Sequence, residues 1–210
     1  MSNVQILKSA QTHLQKVDPT MLGLIRTIGD INLRTREPNF ESLVRIIVNQ
    51  QLSNKAANTI FERVKDACSC SPLTPQNILN LESKDFRKCG LSNSKTIFVK
   101  NLAELCENKP NFLAELNSLP TQQAHKELIK IKGIGVWTAN IFLMFCLGRE
   151  DIFPYGDVTL TKALNILYGI KLDRRIPQED PTIERWSPFR SVAALYLWEW
   201  IDRGMPQIIR

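Results

Sequence analysis

The sequence predicts an all-α protein, and three observations carry that reading. Apolar residues recur at three- and four-residue spacing in separate stretches, no strand-like alternation persists, and short turns built on Gly and Pro divide the stretches. The first segment, 1–16, is polar and amphipathic. Residues 40–49 place Leu43, Ile46 and Ile47 on one helical face, and 54–67 do the same with Ala57, Ile60, Phe61 and Val64. Further helices are expected over 94–107, 121–131, 136–147, 158–167 and 189–202. The turns between them are Ser71-Pro72, Cys89-Gly90, Leu119-Pro120, the pair Gly133 and Gly135, and Pro154-Tyr155-Gly156.

Composition narrows the function classes. At 210 residues, 43% hydrophobic and 23% charged, the chain can bury a sizeable core as one large domain or two small intertwined ones. The longest apolar runs, 141–147 and 192–198, fall far short of the ~20 residues of a membrane span. No signal-peptide core precedes residue 16, so a soluble, intracellular protein is expected, in the cytoplasm or nucleoid of a bacterium or the nucleus of a eukaryote. The five cysteines (Cys68, Cys70, Cys89, Cys106, Cys146) contain no C-x-x-C pair, and His13 and His125 stand alone, which favours reduced thiols over a metal or cluster site.

A net charge of +6 points to an anionic partner. The surplus sits in 41–150, with 14 basic and 10 acidic side chains, whereas 151–210 carries eight of each. Over 84–100, Lys84, Arg87, Lys88, Lys95 and Lys100 are opposed only by Asp85. Between 128 and 149, Lys130, Lys132 and Arg149 meet no acid. Both clusters flank glycine-containing turns, although a solvated helix face would explain either alone. In the second, helical spacing runs through Lys130 and Lys132 into Gly133-Ile134-Gly135 and then a new helix. Two glycines permit a tight turn of positive φ whose backbone N–H groups open at a helix N-terminus, a site for one phosphate that reads no base sequence; an ordinary helix–helix turn is the other reading.

This stretch resembles the helix-hairpin-helix of the DNA glycosylase superfamily, which also carries an aspartate at the distance and helix start of Asp157. Three more stretches agree: 42–57 with Gln50 and Gln51, 89–95 with Cys89-Gly90-Leu91, and 186–198 from Trp186 to Trp198. Together they are similar to the alkylpurine branch, the 3-methyladenine DNA glycosylase II family, over about 40 to 202 in order. The resemblance implies the compact form, without an N-terminal β-domain. It implies a two-lobed helical fold, with 1–39 plus 151–210 as one lobe, 40–150 as the other, and the active site in the cleft between them. The partner implied is double-stranded DNA containing damaged bases, bound by a monomer.

Read from its residues alone, Asp157 is a helix N-cap; the resemblance adds the role of catalytic carboxylate. Cleaving the N-glycosidic bond builds positive charge on the deoxyribose, which a fixed carboxylate stabilises, and the same group can orient or deprotonate water. A purine alkylated on a ring nitrogen leaves as a neutral base, so one carboxylate suffices. Members that also cut the backbone place a lysine two residues after Gly135 as a Schiff-base nucleophile; here that residue is Trp137, which implies a purely hydrolytic enzyme. Trp137 and Trp198 match base-pocket positions, where an indole gains about 0.5–2 kcal/mol from a cationic base; for Trp198 simple core is the other reading. Ile141 stands where the family has a pocket aromatic, which leaves the lesion range open.

The resemblance places Gln50 and Gln51 near the flipped nucleotide or its orphan partner, against helix capping as the alternative. The wedge that fills the gap left by the flipped base is assigned to Asn93 or Leu91, with Lys95 beside them. The hairpin contacts are Lys132, Gly133, Ile134, Gly135, Val136 and Thr138. No cofactor is required, but a monovalent cation, Na+ or K+, can bridge the carbonyls of Ile129, Ile131 and Ile134 to the phosphate. Two other functions stay open at this point: a non-catalytic hairpin module that binds DNA, and a glycosylase for uracil or an oxidised base.

Overall fold

The computed structural model describes residues 2–33, 35–69, 72–170 and 180–209, and within them the chain is helical with no strand. In order the helices are α1 (Asn3–Val17), α2 (Pro19–Ile28), α3 (Phe40–Asn49), α4 (Asn54–Cys68), α5 (Pro75–Asn80), α6 (Ser83–Cys89), α7 (Asn93–Asn108), α8 (Phe112–Ser118), α9 (Thr121–Ile129), α10 (Val136–Phe145), α11 (Val158–Tyr168), α12 (Pro181–Glu184) and α13 (Arg190–Asp202). The long periodic stretches form the helices expected of them. The amphipathic first segment becomes α1, whose N-terminus Ser2 and Gln5 close as a capping box. Five helices were not anticipated. Four of these, α5, α6, α8 and α12, have four to seven residues, too few turns for periodicity to register. The fifth, α2, announces itself only through Asp18 as N-cap with Pro19 behind it.

The chain divides into two compact units, Met1–Thr35 with Gly148–Arg210, and Arg36–Leu147. In the first, α13 packs against α1, α2 and α11. Its interior holds Leu14, Met21, Leu24, Trp186 and Tyr196, each fully buried. One carboxylate organises this core: Asp18, 1% exposed. Its Oδ1 accepts the N–H groups of Thr20 and Met21 at 2.9 and 3.1 Å. Its Oδ2 accepts Tyr168 Oη at 3.1 Å and Trp186 Nε1 at 2.8 Å. A buried charge held by four donors is tolerated because no lone pair faces an apolar wall. Burial and the neighbouring Asp18 push the Tyr168 phenol well above its ordinary value.

The second unit is centred on α3, which packs on α4, α7 and α10, with α5 laid along α7 and α9 paired with α10. Phe61, Phe86 and Phe142 are fully buried with Leu43, Ile47, Ile78 and Leu102, each such side chain worth about 1.5–3 kcal/mol of burial. Cys89, Cys106 and Cys146 are free and buried, while Cys68 is half-buried; Cys70 and Ser71 lie outside the described residues. Burial pushes the Cys106 thiol up to about 11 and Cys146 to about 12.

Candidate functional site

The hairpin lies between α9 and α10. Ile131 N–H bonds to the Leu128 carbonyl at 3.1 Å, and Ile134 N–H bonds to Ile131 at 2.9 Å, which closes the turn. Gly133 takes φ +97, and a Cβ there would lie 2.1 Å from Phe98 Cγ, so only glycine fits. The tight turn of positive φ is made by Gly133 alone: Gly135 is extended, φ −87 and ψ 178, with open space where a Cβ would stand. As the N-cap of α10 it offers no side chain. The first intrahelical bond runs from Ala139 N–H to the Gly135 carbonyl at 2.9 Å, which leaves the Val136 and Thr138 amides with no acceptor inside the helix. Together with the exposed Lys132, this makes a helix start whose chemistry suits an anion.

Several assigned contacts turn inward. The Ile134 N–H is spent on the turn and its side chain is 3% exposed. Thr138 is buried, and its Oγ1 accepts Gln50 Nε2 at 2.9 Å. The other Gln50 proton reaches the Gly133 carbonyl, also at 2.9 Å. Gln50 thus braces the hairpin from the end of α3. Lys95 also faces inward: Nζ donates to the Val48 and Gln50 carbonyls at 2.8 and 2.6 Å, and burial lowers its pKa. Leu91, 3% exposed, is core and cannot serve as a wedge, whereas Asn93 at the start of α7 is exposed. A feature the sequence did not signal is the conformation of the α3–α4 turn. There Gln51 is exposed in the left-handed region at φ +57, and Leu52 beside it is 38% exposed. A side chain in that region costs about 1–2 kcal/mol, so the fold holds the turn in a conformation its sequence does not favour.

Among the basic clusters, Lys84 pairs with Glu82, Lys88 with Asp85 and Lys130 with Glu127, so part of the apparent surplus is offset locally. Glu82 and Glu127 sit just outside the windows in which the lysines looked unopposed. No group of three or more His, Cys, Asp or Glu among the described residues could hold a metal. The carbonyls of Ile129, Ile131 and Ile134 are hard neutral donors, suited in chemistry to a monovalent cation, although Ile131 already accepts the Ile134 N–H.

In the other unit, Asp157 is the N-cap of α11. Its Oδ1 accepts the Leu160 N–H at 2.9 Å and the Trp198 indole N–H at 3.0 Å. Trp198 is half-buried, as is Trp137 on α10, while Ile141, one turn beyond Trp137, is 9% exposed and part of the core. The loop leading to Asp157 is fastened to the start of α13. Asp151 accepts Arg190 Nε at 2.7 Å, Arg190 Nη2 at 2.9 Å and the Ser187 hydroxyl at 2.8 Å. Ser191 Oγ accepts the Ile152 N–H at 2.9 Å and donates to the Arg149 carbonyl at 2.7 Å. Burial alone would raise the Asp151 carboxyl, but the hydrogen bonds from Arg190 and Ser187 and the Arg190 charge outweigh it and hold it below its ordinary value. The carboxylate of Asp157 and the indole of Trp198 are thus presented by a loop and helix joined at two heights.

A glycine-turned helix pair with an open helix start, in a chain that also fixes a carboxylate at a helix N-cap, defines a helix-hairpin-helix protein directed at nucleic acid. The chain belongs to the HhH-GPD superfamily of base excision DNA repair proteins, whose pattern matches residues 44–188. It is similar to DNA-3-methyladenine glycosylase 1 of Schizosaccharomyces pombe, 32% identical over 93% of this chain and 88% of that protein. An alkylbase DNA glycosidase-like protein of the same organism is 29% identical over 95% and 96%. The solved structure of S. pombe 3-methyladenine DNA glycosylase in complex with abasic DNA superposes with a TM-score of 0.78 at 30% identity, covering 95% of this chain and 99% of that one.

Proposed function

We propose that this protein is a monofunctional DNA glycosylase that hydrolyses the N-glycosidic bond of alkylated purines in double-stranded DNA, acting as a monomer. The observation that carries the reading is Asp157, whose carboxylate is held by the Leu160 and Trp198 N–H groups at the start of α11. These two donors keep it aimed. As the C1′–N bond of a damaged nucleotide breaks, the electron pair leaves with the base, which departs neutral because alkylation had made it cationic. The positive charge left on the sugar is stabilised by Asp157, and water adds to C1′, its proton passing to Asp157 or solvent. Trp137 stacks on the cationic base. The open start of α10 and Lys132 hold one phosphate, and a cation on the Ile129, Ile131 and Ile134 carbonyls would add positive charge there. The duplex is probed from the exposed turns that carry Gln51, Leu52 and Asn93. The similarity to an S. pombe enzyme named for 3-methyladenine supports the lesion class.

The test is release of 3-methyladenine or 7-methylguanine from alkylated duplex by the wild type and Asp157→Asn. Release by the wild type and its loss in Asp157→Asn is the expected result; DNA binding by both with release by neither leaves only a DNA-binding module. Because residue 137 is Trp and not Lys, borohydride is expected to trap no covalent enzyme–DNA adduct, and an adduct would overturn the hydrolytic assignment.

A further inference from the structure

Lys95 sits where a basic residue would be expected to meet DNA, yet its ammonium turns the other way. We propose that Lys95 is a positioning residue: by capping the end of α3 it fixes Gln50, and through Gln50 it holds the Gln51–Leu52 tip and the Gly133 hairpin in one register on the duplex. The inference rests on the glycosylase reading for what that register serves, and on hydrogen bonds alone for the register itself.

Helix α3 ends with no glycine and no basic residue in its last turn, so its final carbonyls need an outside donor. Lys95, 47 and 45 residues away, supplies one to Val48 at 2.8 Å and to Gln50 at 2.6 Å. Gln50 then spends both protons of Nε2 at 2.9 Å, on the carbonyl of the left-handed Gly133 and on Thr138 Oγ1 in the first turn of α10. The chain of bonds therefore runs from α7 through the end of α3 to the hairpin. Next to the clamped Gln50, Gln51 holds φ +57 without being a glycine, in a turn closed by the Leu52 N–H on the Asn49 carbonyl at 3.2 Å. Released at Lys95 or at Thr138, Gln50 loses part of what fixes it, and the exposed tip beside it loses its fixed distance from the hairpin.

A lysine that touches phosphate and one that positions a loop differ in salt dependence. Losing a phosphate contact flattens the slope of log affinity against log salt by about one, whereas losing a brace leaves it unchanged. Lys95→Met keeps the stem and removes the charge. Its single-turnover excision rate is expected to fall about 10- to 100-fold, with affinity for undamaged duplex within about twofold of wild type and the same salt slope. Lys95→Arg, which restores donors, is expected to recover the rate to within about threefold. Lys95→Met combined with Gln50→Leu should lose no more than about the larger single effect, because both break one path.

A duplex carrying an abasic analogue opposite 2-aminopurine separates this inference from the one it rests on, since it needs no excision. The wild type is expected to raise the fluorescence by disturbing the opposite base, and Lys95→Met to give about half that rise or less. If the wild type releases no alkylpurine, the glycosylase reading fails while this signal still judges the brace. Should Lys95→Met not fold, Thr138→Val cuts the far end of the same path and carries the same expectations. A wild-type rate and fluorescence in the folded variant, or a salt slope lower by one, overturns the proposal.

Discussion

Helices α10 and α11 each begin just after a glycine in the left-handed region, Gly133 at φ +97 and Gly156 at φ +85, yet they finish the turn in opposite ways. At α10 the cap is Gly135, with no side chain, so the helix start stays open to an external anion. At α11 the cap is Asp157, so the helix start already holds an anion of its own. One local geometry is thus presented as a positive site in one unit and as a fixed negative charge in the other. The first suits a phosphate and the second suits a sugar that becomes cationic. Cap chemistry, not fold, separates the two roles.

Substitutions can collapse that contrast. Asp157→Asn has the largest expected effect: the amide oxygen still caps α11, so thermal stability stays near wild type, while the excision rate falls about 10²- to 10³-fold with the charge. A matching loss of stability would mean that the residue acts as a cap alone. Gly133→Ala should destabilise the protein by about 2–4 kcal/mol, from left-handed strain and the clash with Phe98, read as a lower denaturation midpoint. Gly135→Asp is the sharpest exchange, because it gives α10 the cap of α11. Stability is expected to hold or rise slightly while duplex affinity drops about tenfold, since a carboxylate now occupies the anion site. Unchanged affinity would remove α10 from the phosphate contact. Trp198→Phe keeps a ring but deletes the donor to Asp157; a rate lower by about three- to tenfold with an altered pH–rate profile identifies the indole N–H as what orients the carboxylate. An unchanged profile would leave Trp198 as packing or stacking surface only.

Much of the fold was legible in the sequence because long amphipathic helices write their period into it, as in α3 and α4, although the ten-residue α2 escaped. Asp157 was legible for a related reason: a cap acts on its own next turn, so its signal is local. What sequence reading missed is held by partners far along the chain. Gln50 meets Gly133 and Thr138 across 83 and 88 residues, and nothing near Gln50 announces it. Lys95 was placed on DNA because its neighbours are basic, but burial turned it onto the end of α3. The left-handed Gln51 left no trace because glycine is the residue that marks such positions. Leu91 followed the same logic in reverse: it lies in an exposed-looking loop after Gly90 but packs into the core.

The buried thiols have a chemical consequence for a protein proposed to act where DNA has been alkylated. Electrophiles that methylate purine nitrogens also attack sulfur, and they react with the thiolate far faster than with the thiol. With burial pushing Cys146 up to about 12 and Cys106 to about 11, little of either is the reactive anion at neutral pH. Cys89 is shifted the same way, chiefly by burial. These three core sulfurs are thereby kept chemically quiet toward the kind of reagent that alkylates purines.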